Sequence, residues 1–360
     1  MYVGTLLVVT PCSSTPLNKN TSSFVLGALA GAIIAIFVIA VVSRDFLHRS
    51  GGAQEVRVIK FAHGLPSSHP VHKGIELMAT RLDELSGGTM RIEIFPGEQM
   101  GDETRTLEQT QLGTIEMVKI SAAPLGNFVT ACKVFSLPYL FRDSDHYWRV
   151  LDGEVGKQML EEISVRDDGK SSGLVGVGFF DAGSRNFYAL SPINGVEDLK
   201  GKKIRLMRDP VAMDMVSAFG ASPAAIPWGE LYSALQQGVV DGAENNPPSI
   251  VSARHGEVCK YLTMDHHSRI PDIVLAGAKF WDSLNDTQKG WLMQAMQEAS
   301  VYQRELWARS SEESLEQLRS EGVTVIEPDL APFRAATMPV VEKYSTGKVG
   351  DYYKAIQEVK

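Results

Sequence analysis

From Asn285 to Glu321 the chain runs without a proline, and Gly290 is its single interior weak point. Asn285 can cap a helix here with Gln288 three residues on, and Gly322 ends it. At about 1.5 Å per residue such a helix exceeds ~50 Å, more than a small lobe is wide. The helix therefore has to span two lobes. The chain is long enough for that: 360 residues, 44% of them hydrophobic and 22% charged, supply two cores more readily than one.

Beyond Gly51, short apolar runs alternate with amphipathic stretches. Residues 56–61, 90–95, 115–120, 174–180, 203–206 and 273–277 read as strands. Residues 71–85 place Ile75, Met78, Ala79 and Leu82 on one helical face before the Gly87-Gly88 breaker. The strand, helix, strand order predicts an α/β protein with largely parallel sheets. There is no internal repeat and no low-complexity linker, so the lobe boundary must be a set of crossings inside the α/β pattern. The expected division is 1–50 as signal peptide or membrane anchor, 51–182 as the first part of lobe I and 183–270 as the first part of lobe II. Residues 271–310 then return to lobe I with the long helix, and 311–360 pack on lobe II and form the C-terminal tail.

Residues 24–42 read FVLGALAGAIIAIFVIAVV, with no charge. About 20 such residues suffice to cross a bilayer, so this segment meets membrane. It is longer than the usual secretory core, yet Val38-Ile39-Ala40 offers a small-residue cleavage pattern; cleaved signal and retained anchor both stand. Lys19 precedes the segment while Arg44 and Arg49 follow it, which weakly favours the opposite orientation. Cys12 follows Pro11 and makes a poor lipoprotein site.

A net charge of −8, with no basic run interleaved with aromatics, argues against a nucleic-acid partner. The three cysteines, Cys12, Cys132 and Cys259, lie far apart and outside any metal-ligand spacing, so neither metal nor cofactor is expected. Cys132 and Cys259 could pair in an exported protein or sit as separate buried thiols. No GxSxG elbow, P-loop or GxGxxG after a strand is present, and Glu161-Glu162 reads as a solvated helix face. The expectation is a binder and not an enzyme. A glycosidase with carboxylates from distant segments is an alternative. A membrane-tethered sensor ectodomain is another, although no output domain accompanies it.

Arg205 ends a strand in LKGKKIRLMRDP, where a guanidinium could face a cleft and grip a carboxylate through two parallel hydrogen bonds. It could equally belong to a surface patch with Lys200, Lys202, Lys203 and Arg208. Arg185, just after an apolar strand in FFDAGSRNFYAL, is a second candidate. In IPWGELYSALQQGVVDGAENNPPS, Trp228 precedes a helix with Leu231, Ala234 and Leu235 at core spacing, ending at Gly238. Val239-Val240 reads as a short strand leading to Glu244, Asn245 and Asn246 before Pro247-Pro248. Amides at a strand end suit sugar hydroxyls and a Trp ring covers an apolar ligand face, while the plain alternative is a capped turn.

KFAHGLPSSHPVHKG, IEIFPGEQMGDE, KVFSLPYLF, LKGKKIRLM, the tract around DGAENNPPS and the closing EGVTVIEPDLAPF occur in one order. Together they resemble the DctP-type solute-binding subunits of tripartite ATP-independent periplasmic (TRAP) transporters, over about residues 55 to 345. The resemblance implies a two-lobed periplasmic binding protein fold with hinge strands and a long lobe-spanning helix. It implies export to the periplasm, a small carboxylate ligand and integral membrane permease subunits as partners. In the family, the Arg205 position pairs with the substrate carboxylate and a second arginine corresponds to Arg185. Asn245 matches the polar residue of the DGxEN tract and Trp228 an aromatic beside the site. Glu103 and Ser121 match first-lobe positions at the distal end of the ligand, and His63 is expected to face the same cleft. Ser121 stands where the sialic-acid branch carries an acid, and HHSRIPD, ending at Asp272, also differs from that branch. ENNPP, SRIPD and LPSSHPV look more like members that bind hexuronates such as glucuronate or galacturonate, with Asp272 added to the site.

Overall fold

A computed structural model describes residues 56–360; the apolar segment 24–42 and Cys12 lie outside the described residues. In chain order the strands are β1 (Arg57–Ala62), β2 (Met90–Phe95), β3 (Met117–Ser121), β4 (Leu174–Phe180), β5 (Arg185–Ala189) and β6 (Lys203–Leu206). They continue as β7 (Ser222–Ala225), β8 (Gly242–Asn245), β9 (Tyr261–Ser268), β10 (Asp272–Gly277) and β11 (Thr324–Ile326). They form a five-stranded sheet, β2-β1-β3-β10-β4, and a six-stranded sheet, β11-β9-β5-β8-β6-β7. Each sheet is the centre of one lobe.

The chain crosses between lobes after β4 and again after β9, so that β5 and β10 are the first strands it forms on arrival. These two crossings set the sheets' polarity. β1 runs parallel to β2 and β3, and β6 parallel to β7 and β8. In contrast β10 is antiparallel to β3 and β4, and β5 antiparallel to β8 and β9. The expectation of largely parallel sheets is corrected to mixed sheets, because a strand arriving from the other lobe enters against its neighbours. Val239-Val240 is likewise not the strand expected there. The strand is β8, which begins at Gly242.

The long helix is Asp286–Ser320, 35 residues, with Asn285 and Gln288 forming a reciprocal capping box. Leu292, Ala295, Met296, Ala299 and Trp307 enter the core that holds Ile59 and Phe61, in the first lobe. Leu318, further along, enters the core of Tyr188 and Leu262 in the second. One helix thus contributes to both cores. The helix Pro70–Ser86 lies against it; a Cβ at Gly74 would sit 2.9 Å from the Gln303 Cβ, so only glycine permits this approach.

The chain's end departs from the expected division. Helix Leu330–Tyr344 places Phe333 in a second-lobe core with Phe187 and Phe219. The closing helix Gly347–Glu358 instead buries Val349 and Ile356 with Val134 and Phe135 in the first-lobe core, and Gln357 Nε2 donates to the Leu140 carbonyl at 2.9 Å. Its apolar residues complete lobe I, not lobe II. Cys132 and Cys259 are both buried and unpaired, one in each lobe's core.

Candidate functional site

A cavity lies between the lobes. The first-lobe wall includes His69, Glu98, Asp102, Glu103, Lys119 and Ser121; the second-lobe wall includes Arg185, Arg205, Arg208, Trp228, Asn245 and Ser249, and Asp272 stands where the chain re-enters the first sheet.

Arg205 is on β6, whose residues Ile204, Arg205 and Leu206 are buried. The surface-patch alternative is thereby removed: Arg205 is 2% exposed. Its Nε donates to the Ile226 carbonyl at 2.8 Å, which fixes the plane of the fork. Its Nη1 is buried without a partner among the described residues. The Trp228 ring centroid lies 5.7 Å from Cζ, close enough for cation–π attraction. Burial pushes the Arg205 pKa down from its usual value, as desolvation does to any cation. An anion brought between the lobes would relieve that cost.

Arg185 also lines the cavity, but it is committed. It donates from Nε and Nη2 to the Glu244 carboxylate, again from Nη2 to the Glu244 carbonyl at 2.9 Å, and from Nη1 to Asn245 Oδ1 at 3.2 Å. Burial raises the Glu244 pKa, but Arg185 and His267 outweigh it and hold the group down to about 2. His267 is fully buried, with Nδ1 2.7 Å from Asp265 Oδ2 and Nε2 3.5 Å from Glu244 Oε2. Against its own burial, Asp265 and Glu244 raise it to about 9, so it carries a proton at neutral pH. This network presents Asn245 to the cavity and holds Arg185 in place. Asn246 caps the helix Pro247–Ser252 by accepting from Ser249 N at 2.8 Å, with Pro247 in the first turn. The ENNPP tract is thus a strand end and a helix start, and the capped-turn reading holds for its second half.

On the first-lobe wall, Asp102 caps the helix Glu103–Leu112. That places Glu103 Oε1 where it accepts the Ser121 N–H at 2.9 Å and lies 3.5 Å from Lys119 Nζ. Lys119 Nζ is 3.1 Å from Asp272 Oδ2. β3 and β10 pair Ser121 with Asp272, which brings these side chains together. Burial works against the Lys119 charge, but Asp272 and Glu103 raise its pKa overall. Burial raises that of Asp272.

His63 does not line the cavity as expected. It is 2% exposed, with Nδ1 accepting from Leu65 N at 3.2 Å and Nε2 2.9 Å from His72 Nδ1, so its ring is turned into the first lobe. His69 takes its place: it caps Pro70–Ser86 through Nδ1, and its Nε2 is 3.1 Å from Ser249 Oγ on the other wall. Sequence reasoning also passed over Lys119 and Glu98. A lone lysine inside the apolar run MVKIS was a readable signal, because a buried ammonium needs partners. Glu98 sits in a turn and carried none. Among the described residues there is no group of His, Cys, Asp and Glu able to hold a metal. Nor is any described helix long and apolar enough to cross a membrane.

A cavity between two α/β lobes on crossing strands, with a buried guanidinium in its wall whose Nη1 has no partner among the described residues, defines a two-lobed solute-binding protein. The chain belongs to the DctP family, the bacterial extracellular solute-binding proteins of family 7, whose profile matches residues 61–347. It is similar to the C4-dicarboxylate-binding periplasmic protein DctP of Rhodobacter capsulatus, 30% identical over 87% of this chain and 90% of that protein. Among solved structures, a TRAP periplasmic solute-binding protein from Pseudomonas putida F1 with bound D-glucuronate is 36% identical. It has a TM-score of 0.81 and covers 84% of this chain and 97% of its own. One from Xanthobacter autotrophicus Py2 with bound β-D-galacturonate is 34% identical, TM-score 0.80, over 84% and 100%. This is a TRAP-type solute-binding protein of two-lobed α/β fold.

Proposed function

We propose that this chain captures a hexuronate such as glucuronate or galacturonate in the periplasm and hands it to TRAP permease subunits, without chemical turnover. The observation that carries this reading is the buried Arg205 fork, fixed by Ile226 and facing a cavity that Trp228 also lines. A planar guanidinium with uncommitted Nη groups matches a carboxylate, and the ring of Trp228 suits the apolar face of a pyranose. Arg185 and Asn245 lie on the same second-lobe wall as Arg205, and Glu103, Ser121 and Asp272 line the first-lobe side. The two hexuronate-bound relatives, each above 30% identity, support the ligand class. Export through the apolar segment 24–42, cleaved or kept as an anchor, belongs to the same reading.

A thermal-shift and calorimetry panel of sugar acids, neutral sugars and dicarboxylates tests it. A bound hexuronate at a hundredfold excess over its Kd should add about 2.7 kcal/mol of stability, and its parent neutral sugar none. Equal stabilisation by the neutral sugar, or consumption of the acid over hours, would overturn the reading.

A further inference from the structure

The cavity is charged unequally. Its second-lobe wall holds Arg205 with uncommitted donors, and Arg208. Arg185 there is already neutralised by Glu244. Its first-lobe wall holds Glu98, Asp102, Glu103 and Asp272, and against them, among the described residues that line it, only the ammonium of Lys119, 3% exposed and shared between Glu103 and Asp272. An ammonium has three donors, and Nζ lies 3.5 Å from Glu103 Oε1 and 3.1 Å from Asp272 Oδ2, so these two carboxylates engage at most two of them. The third, with the carboxylates' remaining lone pairs, can donate to a hydroxyl oxygen and accept from a hydroxyl hydrogen. A second ligand carboxylate could only accept, and it would meet like charge out of water.

The geometry points to Lys119, clamped between Glu103 and Asp272, as a specificity-determining residue that makes the first-lobe wall a reader of hydroxyls. It admits acids with one carboxylate and a hydroxylated remainder, and rejects acids with a carboxylate at each end. Protonation of Asp272 does not change the outcome, since Lys119 stays paired with Glu103 and the cluster then has no net positive charge to offer. The inference rests on the proposed docking of a carboxylate at Arg205.

Calorimetry with a hexonate and the corresponding hexarate tests it, because the two differ only in a terminal hydroxymethyl against a carboxylate. Wild type should prefer the hexonate at least tenfold. Glu103→Gln keeps an acceptor for Ser121 N–H but removes a charge, and should shift the preference about tenfold toward the hexarate. Lys119→Met with Asp272→Asn removes an ammonium and a carboxylate together, and should lose D-glucuronate at least tenfold with the melting transition intact. Equal hexonate and hexarate affinity in wild type, an unmoved ratio in Glu103→Gln, or full glucuronate affinity in the double variant would each overturn the inference. If linear acids do not bind, the double variant alone decides. If D-glucuronate binds with dependence on Arg205 while these results fail, the hexuronate reading survives. If no sugar acid binds wild type, both readings fall.

Discussion

Removing the Arg205 guanidinium should cost about 2 to 5 kcal/mol of hexuronate binding, the range for truncating one partner of a buried charge pair. Arg205→Lys should recover little, because an ammonium keeps the charge but not the planar fork that Ile226 orients. The ligand-free melting temperature should stay level or rise in Arg205→Ala, since burial already works against this cation. Calorimetry and melting of both variants check this, and undiminished affinity in Arg205→Ala would refute the carboxylate clamp. A second prediction at this scale concerns pH. His267 is raised to about 9 in the fold, so its contribution is complete below the unfolded value of 6.5 and is lost as pH climbs through 9. His63, His69 and His255 are held at about 2, 3 and 3, chiefly by burial. Below 6.5 the unfolded chain binds their protons first, and stability falls on that side too. Urea melts from pH 5 to pH 10 should therefore peak near 6.5, and stability that climbs steadily to pH 9 would contradict the charged His267. In the sequence, Arg205 could be picked out but not separated from its basic neighbours, because exposure depends on which face of β6 meets the core. The commitment of Arg185 to Glu244 was out of reach, because it depends on the pairing of β5 with β8.

At the scale of elements, the long helix is pinned where the chain changes lobes. Gln303 is fully buried on it, accepting from Asp181 N at 2.8 Å and donating to the Asp181 carbonyl at 2.9 Å. Arg269, on the other crossing, donates to both carboxylate oxygens of Asp181 at 3.1 and 3.0 Å. The two crossings and the helix thus meet at one residue. Gln303→Leu keeps the volume and strands a buried donor and acceptor, which should cost about 2 to 4 kcal/mol of folding stability. Urea denaturation of the variant measures it, and a loss under about 0.5 kcal/mol would mean water replaces the side chain. The helix itself was legible from Asn285, Gln288 and the absence of proline, since caps and breakers act locally. So were β2, β4 and β6, whose apolar runs end at turn residues. Strand direction was not legible: β5 and β10 look like any other strand, and only the crossings reverse them. The lobe that takes the final helix, Gly347–Glu358, was not legible for the same reason, because an amphipathic pattern fixes a buried face and not the lobe that buries it.

For the whole molecule, the question is what holds the lobes together over the cavity. Among the described residues, polar contacts that bridge the lobes beside the cavity include His69 Nε2 with Ser249 Oγ at 3.1 Å, the Gly229 N–H donating to Glu98 Oε2 at 3.2 Å, and Asn127 Nδ2 donating to the Arg208 carbonyl at 2.8 Å. The second sits at the first turn of the helix Trp228–Gln236, where backbone N–H groups are unpaired and a carboxylate is favoured by the helix dipole. A Cβ at 229 would stand 2.5 Å from Glu98 Oε2 and push that side chain out of the contact. Burial raises the Glu98 pKa and the Gly229 hydrogen bond opposes that, so the ion is held by a contact that exists only when the lobes meet. A ligand that touches both walls favours the closed arrangement by its differential affinity, and Glu98 adds to the same side of the balance. Scattering should show a smaller radius of gyration at saturating hexuronate than without it. Glu98→Ala should leave the association rate within about twofold and raise the dissociation rate about fivefold, the equivalent of ~1 kcal/mol for a partly buried helix-terminus contact. Gly229→Ala should act the same way, and combining the two should add little, since both remove one contact. Stopped-flow binding with the two single variants and the double one measures this. Additive effects, or scattering curves that ligand does not change, would show that the lobes are held by something other than this contact.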